Sequence, residues 1–366
     1  MTARAMHEVG KTRLDGEFSE WVVAAAHGLD TGAEGPSAVL PRLASAGLVG
    51  AGVQVASGGS GGDIVDGVAA ISAVAEESLA AAFVLWGQRT YIEFLLQSPN
   101  RQLGEKLLPD LLAGRLAGAT GLSNAMKFLA GLEPLQISAQ ADGDGLVLDG
   151  KMPWVTNLRP ESFHVAAAVD HADGGTFIAS LAHDDDGLER SDDLSLLGMR
   201  STNTAAIKLS QVRIGAERIL HPDAAEWLPQ VRPAFTGLQC GMSIGLARRS
   251  IAETAKCAGA GRNVLSPPLS SVTQRLTQAE SRLSAGLRSR EFEVDAASLF
   301  TLRIELAEIV AEAISLELQA SGGRAYLSEP GRDFARRWRE SAFIPLITPS
   351  LVQLKAALLE RRQDAA

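Results

Sequence analysis

The sequence contains few aromatic residues and almost no cysteine. Phe, Trp and Tyr together make up 5% of the 366 residues, and there are two cysteines. Cys240 and Cys257 stand apart, with no CxxC pair and no set of histidines nearby. We therefore expect neither a disulfide scaffold nor a structural zinc site, and no bound metal. Two free, mostly buried thiols are the simplest interpretation.

An excess of positive charge and a membrane-length apolar run are also missing. The formal net charge is -9, which argues against nucleic acid as a partner. The most apolar stretches are interrupted by Glu, Arg or Gly before they reach the length of a membrane span, so no membrane is expected. The polar N-terminal stretch lacks the apolar core of a signal peptide, and a cytoplasmic location is predicted.

Hydrophobic periodicity divides the chain into three zones, as its length leads one to expect. Apolar residues recur every three to four positions in the first and last zones and every two positions in the middle zone. We predict an N-terminal α-helical domain over 1–114, a middle β domain over 115–221 and a C-terminal helical-bundle domain over 222–366. The predicted fold class is α+β, with a β-barrel or β-sandwich in the middle and an antiparallel four-helix bundle at the end.

Two segments give the clearest local predictions. In the first zone, "DIVDGVAAISAVAEESLAAAFVLW" reads as one long helix, apolar on nearly all sides and therefore buried. In the middle zone, "LQISAQADGDGLVLDGK" reads as a hairpin that turns at Asp142 to Gly145. The strands follow one another instead of alternating with helices, which argues against a Rossmann sheet.

Six short stretches stand in order along nearly the whole chain: "LPRLASAGLVG", "EKLLPDLLAGRLAGATGLS", "LVLDGKMPWVTN", "LLGMRSTNTAAIKLSQVRI", "GRNVLSPPL" and "LQASGGRAY". Any one of them is a weak signal, but their shared order is specific. Together they resemble elements of the acyl-CoA dehydrogenase superfamily of flavoproteins.

The resemblance implies an FAD cofactor between the β domain and the C-terminal bundle. Trp154 would lie against the isoalloxazine, although alone it reads as a core residue between sheet and bundle. Thr156 would meet the N5 and O4 edge of the flavin from the same strand face. Ser123 stands where the family has a Thr that contacts the flavin, or it caps a loop. Leu122 would contribute backbone groups only.

The same resemblance implies further FAD contacts and a second subunit that completes the site. Arg262 would reach the FAD diphosphate of the neighbouring subunit, although a solvated loop arginine is an equal alternative. Gln319, Gly322 and Gly323 would contact the other end of the cofactor, and glycines here could simply end a helix. The chain would then be a homodimer or homotetramer. Leu265 replaces a family Phe, and an Arg-Ala pair follows Gly323 where the family has x-Gly.

The catalytic base of the family is absent from its usual place, so the catalytic residue is unknown. With Arg339-Glu340 matched to the family Arg-Asp pair, the base position falls on Thr348, or on Ile347 if shifted by one. Neither side chain can remove a proton as a carboxylate does. The first C-terminal helix, where some members carry this Glu, has no Asp or Glu between Arg232 and Arg249.

Three functions remain open from the sequence. The first is FAD-dependent oxidation of the CH-CH group of an acyl thioester, with acyl-CoA as a possible small-molecule substrate. The second is a flavin-dependent monooxygenase or oxidase on the same fold, acting on a small molecule without CoA. The third is a flavin-binding protein that lacks dehydrogenase activity.

Overall fold

The first region of the protein is helical. The computed structural model describes residue 12 and residues 14–129, 131, 133–257 and 261–364. Helix α1 begins after Asp15, whose carboxylate accepts from the backbone N–H of Glu17, and it ends at Gly32 in the left-handed conformation. The helices of this region are α1 (Gly16–Thr31), α2 (Val39–Ser45), α3 (Ile64–Glu77), α4 (Leu79–Leu96) and α5 (Arg101–Leu112).

The prediction of one long apolar helix in this region is wrong in one respect. It is two helices, α3 and α4, because the chain turns at Ser78, which has extended backbone angles. The Ser78 hydroxyl accepts from the N–H of Ala81 and caps the start of α4. The predicted burial is confirmed, since every residue of α4 except Glu93 and Leu96 is buried.

Eight strands follow and form one sheet. Its hydrogen-bonded order is β6-β7-β3-β2-β4-β5-β8, and β1 pairs in parallel with β4. The predicted hairpin is confirmed, because β2 and β3 pair antiparallel with Asp142 opposite Gly145. The strands are β1 (Ala117–Thr120), β2 (Ile137–Asp142), β3 (Gly145–Val155), β4 (Phe163–His171), β5 (Thr176–Ala182), β6 (Leu188–Arg190), β7 (Ala205–Ile214) and β8 (Ile219–His221). A short helix, α6 (Ser123–Leu129), lies between β1 and β2.

Helices return after β8. Sequence reasoning missed α11, because its apolar positions are few and it follows a glycine-rich break. The last described helix, α12, begins two residues after Pro349. The helices of this region are α7 (Ala224–Lys256), α8 (Ser266–Ser289), α9 (Glu291–Val294), α10 (Ala296–Ser321), α11 (Arg332–Phe343) and α12 (Leu351–Asp364).

Helix α7 joins the two helical regions into one core. It packs against α3 on one side and α10 on the other. The approach to α3 is close at Gly245, where a Cβ atom would stand 2.1 Å from the carbonyl oxygen of Ser72. Helix, sheet and helix thus occur in the predicted order, while the exact domain boundaries stay a prediction. Among the described residues, no helix has the length and apolar character needed to cross a membrane.

Helix α4 also connects to the sheet through the buried side chain of Gln88. Its Nε2 donates to the carbonyl oxygens of Leu111 and Leu116, at 2.8 and 2.9 Å. Its Oε1 accepts from the N–H of Gly118 and from Nδ2 of Asn157, at 2.7 and 2.9 Å. One amide therefore holds β1 and the end of β3 at fixed distances from α4, and both strands carry residues of the site described next.

Candidate functional site

A largely apolar cavity of about 340 Å³ opens between the sheet, α4 and the segment between α11 and α12. Three parts of the chain that are remote in sequence form its walls. The sheet contributes the ends of β1 and β3, α4 contributes two aromatic rings, and the C-terminal region contributes the stretch before Pro349. Lining residues used below are Phe83, Trp86, Thr120, Ser123, Asn124, Lys127, Glu133, Trp154, Thr156, Leu196, Thr204, Phe343, Leu346, Ile347 and Thr348.

Trp154 forms part of the cavity wall near the end of β3. Its side chain is not in the core, because the residue is 61% exposed. A register shift between Met152 and Val155 interrupts the pairing of β3 with β7 at this point. The interpretation of Trp154 as an ordinary core residue is therefore wrong. Its ring is a large apolar surface available to a ligand.

Thr156 lies one residue beyond the end of β3 and faces the same cavity. The expectation that Trp154 and Thr156 share a strand face is wrong in detail, since the strand ends at Val155, yet both line one wall. The Thr156 hydroxyl lies 2.6 Å from that of Thr204, which lines the cavity too. Thr204 in turn contacts the Thr202 hydroxyl at 2.8 Å.

The end of β1 and the start of α6 supply two more hydroxyl groups. The Thr120 Oγ1 is buried and has no hydrogen-bond partner among the described residues, although it borders the cavity. Buried hydroxyls are normally paired, so this one is suited to a polar ligand atom. Ser123 lines the cavity as predicted for a flavin contact. Leu122 does not, because its side chain is in the core and its carbonyl accepts from the N–H of Met126.

The segment between α6 and β2 contributes the one carboxylate found among the described lining residues. That residue, Glu133, forms an ion pair with Lys127 and accepts from Nδ2 of Asn124 at 3.2 Å. The hydrogen bond from the Lys127 ammonium holds the pKa of the Glu133 carboxyl below its usual value. It is therefore charged at neutral pH, and already engaged by two donors.

The position of the family base also borders the cavity. Thr348 and Ile347 both line it, and neither carries a titratable group. The Thr348 carbonyl oxygen accepts from Nε2 of Gln239 at 2.9 Å. Leu346, in the same wall, is 67% exposed. The segment matched to the base position therefore lines the cavity without a carboxylate, and its correspondence to the family base stays a prediction.

Behind this wall lies Arg303, a fully buried cation of α10. Its Nε donates to Oε1 of Gln239 at 2.7 Å, and its Nη2 donates to the carbonyl oxygen of Ile344 at 2.6 Å. Burial lowers the pKa of its guanidinium. The pair of Arg303 and Gln239 holds the wall segment through its carbonyl groups at Ile344 and Thr348.

The other predicted cofactor residues lie elsewhere, since Arg262, Gln319, Gly322 and Gly323 do not line this cavity. Arg262 begins the short 3-10 helix Arg262–Leu265, and its side chain lies outside the described part of the structure. Among the described residues, Gln319 donates to Ser315 within its own helix. Gly322 ends α10 with a positive φ of 60°, and a Cβ at Gly323 would meet nothing within 4 Å. Their roles stay a prediction.

Several cavity residues, among them Glu133, Thr120 and Thr204, were missed from the sequence as individual candidates. Thr204 lies in the quoted stretch "LLGMRSTNT", so the motif contained it. Thr120 ends a four-residue strand, and the only signal was its place just before Gly121 and Leu122. A polar residue at the end of a strand can be identified as a cavity residue only when the rest of the cavity is known.

Comparison with known proteins gives one family. Residues 16–115 match the model of the acyl-CoA dehydrogenase N-terminal domain. The probable acyl-CoA dehydrogenase YngJ of Bacillus subtilis is 26% identical over 330 residues, which cover 83% of this chain and 84% of that protein. The match therefore extends from the helical N-terminal region into the sheet and the C-terminal helices.

Solved structures agree in fold. Butyryl-CoA dehydrogenase from Megasphaera elsdenii superposes with a TM-score of 0.82 at 18% identity and covers 95% of each chain. KijD3, in a complex with FMN and a dTDP-linked amino sugar, gives a TM-score of 0.81 at 19% identity, covering 100% of this chain and 96% of that one. At these identities the likeness concerns the fold alone. The family-model match and the relatives, together with the shared fold, support membership of the chain in the acyl-CoA dehydrogenase superfamily.

Proposed function

We propose that this protein is a FAD-dependent oxidoreductase and that its isoalloxazine site is the cavity lined by Trp154. The observation that carries the proposal is a large aromatic ring, 61% exposed, in the wall of a largely apolar cavity. The residues that would hold the ring system are Trp154 on a face and the hydroxyl groups of Thr120, Ser123 and Thr156 at its polar edge. A bound flavin supplies a hydride acceptor there.

The substrate we propose is an acyl thioester, oxidised at its CH-CH group. The relatives named as acyl-CoA dehydrogenases support this choice. The apolar walls made by Leu196, Phe343, Leu346 and Ile347 suit an acyl chain beside the flavin. Oxidation removes a hydride from Cβ and a proton from Cα, and among the described lining residues only Glu133 carries a carboxylate to receive that proton.

A second candidate is a flavin-dependent monooxygenase or oxidase that acts on a small molecule without CoA. The observation that favours it is the residue at the base position, Thr348, which offers no carboxylate. Glu133 is held by Lys127 and Asn124 and is therefore a weak base. Chemistry that begins from reduced flavin and oxygen needs no base beside Cα. The fold relative that carries FMN and a sugar nucleotide supports this alternative.

The deciding experiment is reconstitution with FAD followed by anaerobic mixing with a panel of acyl-CoAs. Bleaching of the flavin absorbance with formation of the enoyl product supports the first candidate. If the flavin stays oxidised, but the prereduced protein consumes oxygen and oxygenates a substrate, the second candidate stands. A protein that takes up FAD and does neither is a flavin-binding protein without this chemistry. Failure to take up FAD would refute the proposal as a whole.

Thr348→Glu tests the base position directly. If an acyl thioester binds beside the flavin, a carboxylate placed at 348 should raise the rate of flavin bleaching by acyl-CoA, by roughly 100-fold for a positioned general base. Thr348→Gln is the matched control, since it has the same shape without basicity. An equal rate in both variants would argue against an acyl thioester at this wall.

We also propose a homodimer or homotetramer in which Arg262, Gln319, Gly322 and Gly323 contact the FAD of a neighbouring subunit. Their absence from the cavity that Trp154 lines is consistent with this arrangement. Light scattering of the purified protein tests the assembly. FAD affinity should then fall in Gln319→Ala, and a monomer that binds FAD with full affinity would contradict the proposal.

A further inference from the structure

Three threonine hydroxyls form a hydrogen-bonded chain that runs from the core to the cavity. Thr202 is fully buried, and its hydroxyl lies 2.9 Å from the carbonyl oxygen of Met199. Thr204 lies 2.8 Å from Thr202, and Thr156 lies 2.6 Å from Thr204. The outer end, Thr156, is the residue that faces the cavity beside Trp154.

The inner end sets the direction of every hydrogen bond in the chain. A hydroxyl carries one hydrogen, and a carbonyl oxygen can only accept. Thr202 must therefore donate to Met199, which leaves it as the acceptor for Thr204. Thr204 has then used its hydrogen, so Thr156 must donate to Thr204. The Thr156 oxygen consequently presents only lone pairs to the cavity.

The carbonyl at the inner end is held in place by the N-terminal region. The N–H of Met199 donates to Oδ1 of Asp30 at 2.8 Å, and Asp30 is fully buried. The other oxygen of Asp30 accepts from Arg339 at 2.5 Å. Met199 adopts a positive φ of 54°, which an ordinary residue keeps only when its surroundings enforce it. The carbonyl oxygen cannot turn away from Thr202 without breaking this arrangement.

We propose that this chain makes Thr156 a hydrogen-bond acceptor toward the cavity, so that the site favours a flavin ring that carries an N–H at that edge. The inference rests on the proposed function. An oxidised isoalloxazine has a lone pair at N5, whereas the two-electron-reduced ring has an N–H there. Thr202 and Thr204 are therefore positioning residues that favour reduced over oxidised flavin, and Thr202 acts without contact with the cavity.

The test compares the FAD-reconstituted wild-type protein with Thr202→Val, which has the same shape without a hydroxyl. Thr204 then loses its acceptor and can donate to Thr156, whose hydrogen turns toward the cavity. The ratio of the dissociation constants for oxidised and reduced FAD should fall about fivefold to tenfold, the value of one hydrogen bond. The two-electron midpoint potential of the bound flavin should become more negative by about 20 to 30 mV, since a tenfold change corresponds to about 30 mV.

Controls separate this effect from a change in folding. Thr202→Ser keeps the hydroxyl and should restore the wild-type ratio. Thr90→Val removes another fully buried threonine hydroxyl, one that has no partner among the described residues and is not a lining residue, and it should leave the ratio unchanged. If Thr202→Val does not fold, Thr204→Val cuts the same chain one link further out and should also lower the ratio.

The outcomes distinguish this inference from the proposed function. A wild-type protein that binds no FAD overturns both at the first step, before any variant is made. Equal ratios and equal potentials in wild type, Thr202→Val and Thr204→Val, with FAD bound, overturn the inference alone. A lowered ratio in the two valine variants, restored in Thr202→Ser, supports it.

Discussion

Replacing Trp154 with alanine should weaken FAD binding about thirtyfold and leave the protein folded. A tryptophan side chain offers up to about 250 Å² of surface, and Trp154 is 61% exposed. A planar ring laid on one face would cover about 75 Å² of that surface, worth about 2 kcal/mol at ~25 cal/mol per Å². That free energy corresponds to a factor of about 30 in the dissociation constant.

The assay is titration of the apoprotein with FAD, followed by flavin fluorescence, alongside thermal unfolding without FAD. Trp338→Ala is a matched control, because Trp338 is 46% exposed on α11 and does not line the cavity. The free energy of unfolding of both variants should stay within about 1 kcal/mol of the wild-type value, since each ring is already half exposed. If Trp154→Ala binds FAD as tightly as Trp338→Ala does, the ring is not a wall of the flavin site.

Three further predictions concern the structure that supports the site. Gln239→Leu should lower the free energy of unfolding by about 2–4 kcal/mol in urea denaturation, because it leaves the buried Nε of Arg303 without its acceptor. Gly245→Ala should lower the free energy of unfolding by about 3 kcal/mol or more. Its Cβ would stand 2.1 Å from the Ser72 carbonyl oxygen and would push α7 away from α3. Burial, with a smaller contribution from nearby cations, lowers the pKa of His164 to about 3. The unfolded chain therefore binds one more proton than the folded protein between about pH 6.5 and pH 3, and wild-type stability should fall by about 1.4 kcal/mol per pH unit as the pH drops through that window. In His164→Asn that contribution to the pH dependence should vanish.

Each of these predictions has an internal comparison. Gln319→Leu removes a glutamine whose hydrogen bonds stay within its own helix, and it should change stability by less than about 0.5 kcal/mol. Gly16→Ala adds a Cβ that meets nothing within 4 Å and should be neutral or slightly stabilising. Equal costs for the two glutamine variants, or for the two glycine variants, would contradict the packing argument. An unchanged pH slope in His164→Asn would mean that His164 is protonated in the folded protein.

Local patterns were sufficient for the order of elements. The hairpin around Asp142 to Gly145 was predictable because alternation and turn residues act over a few positions. The candidate site came from the resemblance to the family, which assigned Ser123, Trp154, Thr156 and the base position at Thr348. The break at Ser78 was missed, because the apolar pattern of α3 and α4 runs straight through it and only a side-chain cap marks the turn.

The sequence by itself determined the three zones and the burial of α4, because these depend on residue identity and local periodicity. Only the tertiary structure decided that Trp154 is exposed to a cavity, and that Thr120, Thr156 and Thr348 line that cavity together. The direction of the threonine chain was decided there too, since its inner end depends on Asp30, a residue from the first helix. Exposure and hydrogen-bond direction are set by groups far away along the chain, and no local pattern contains them.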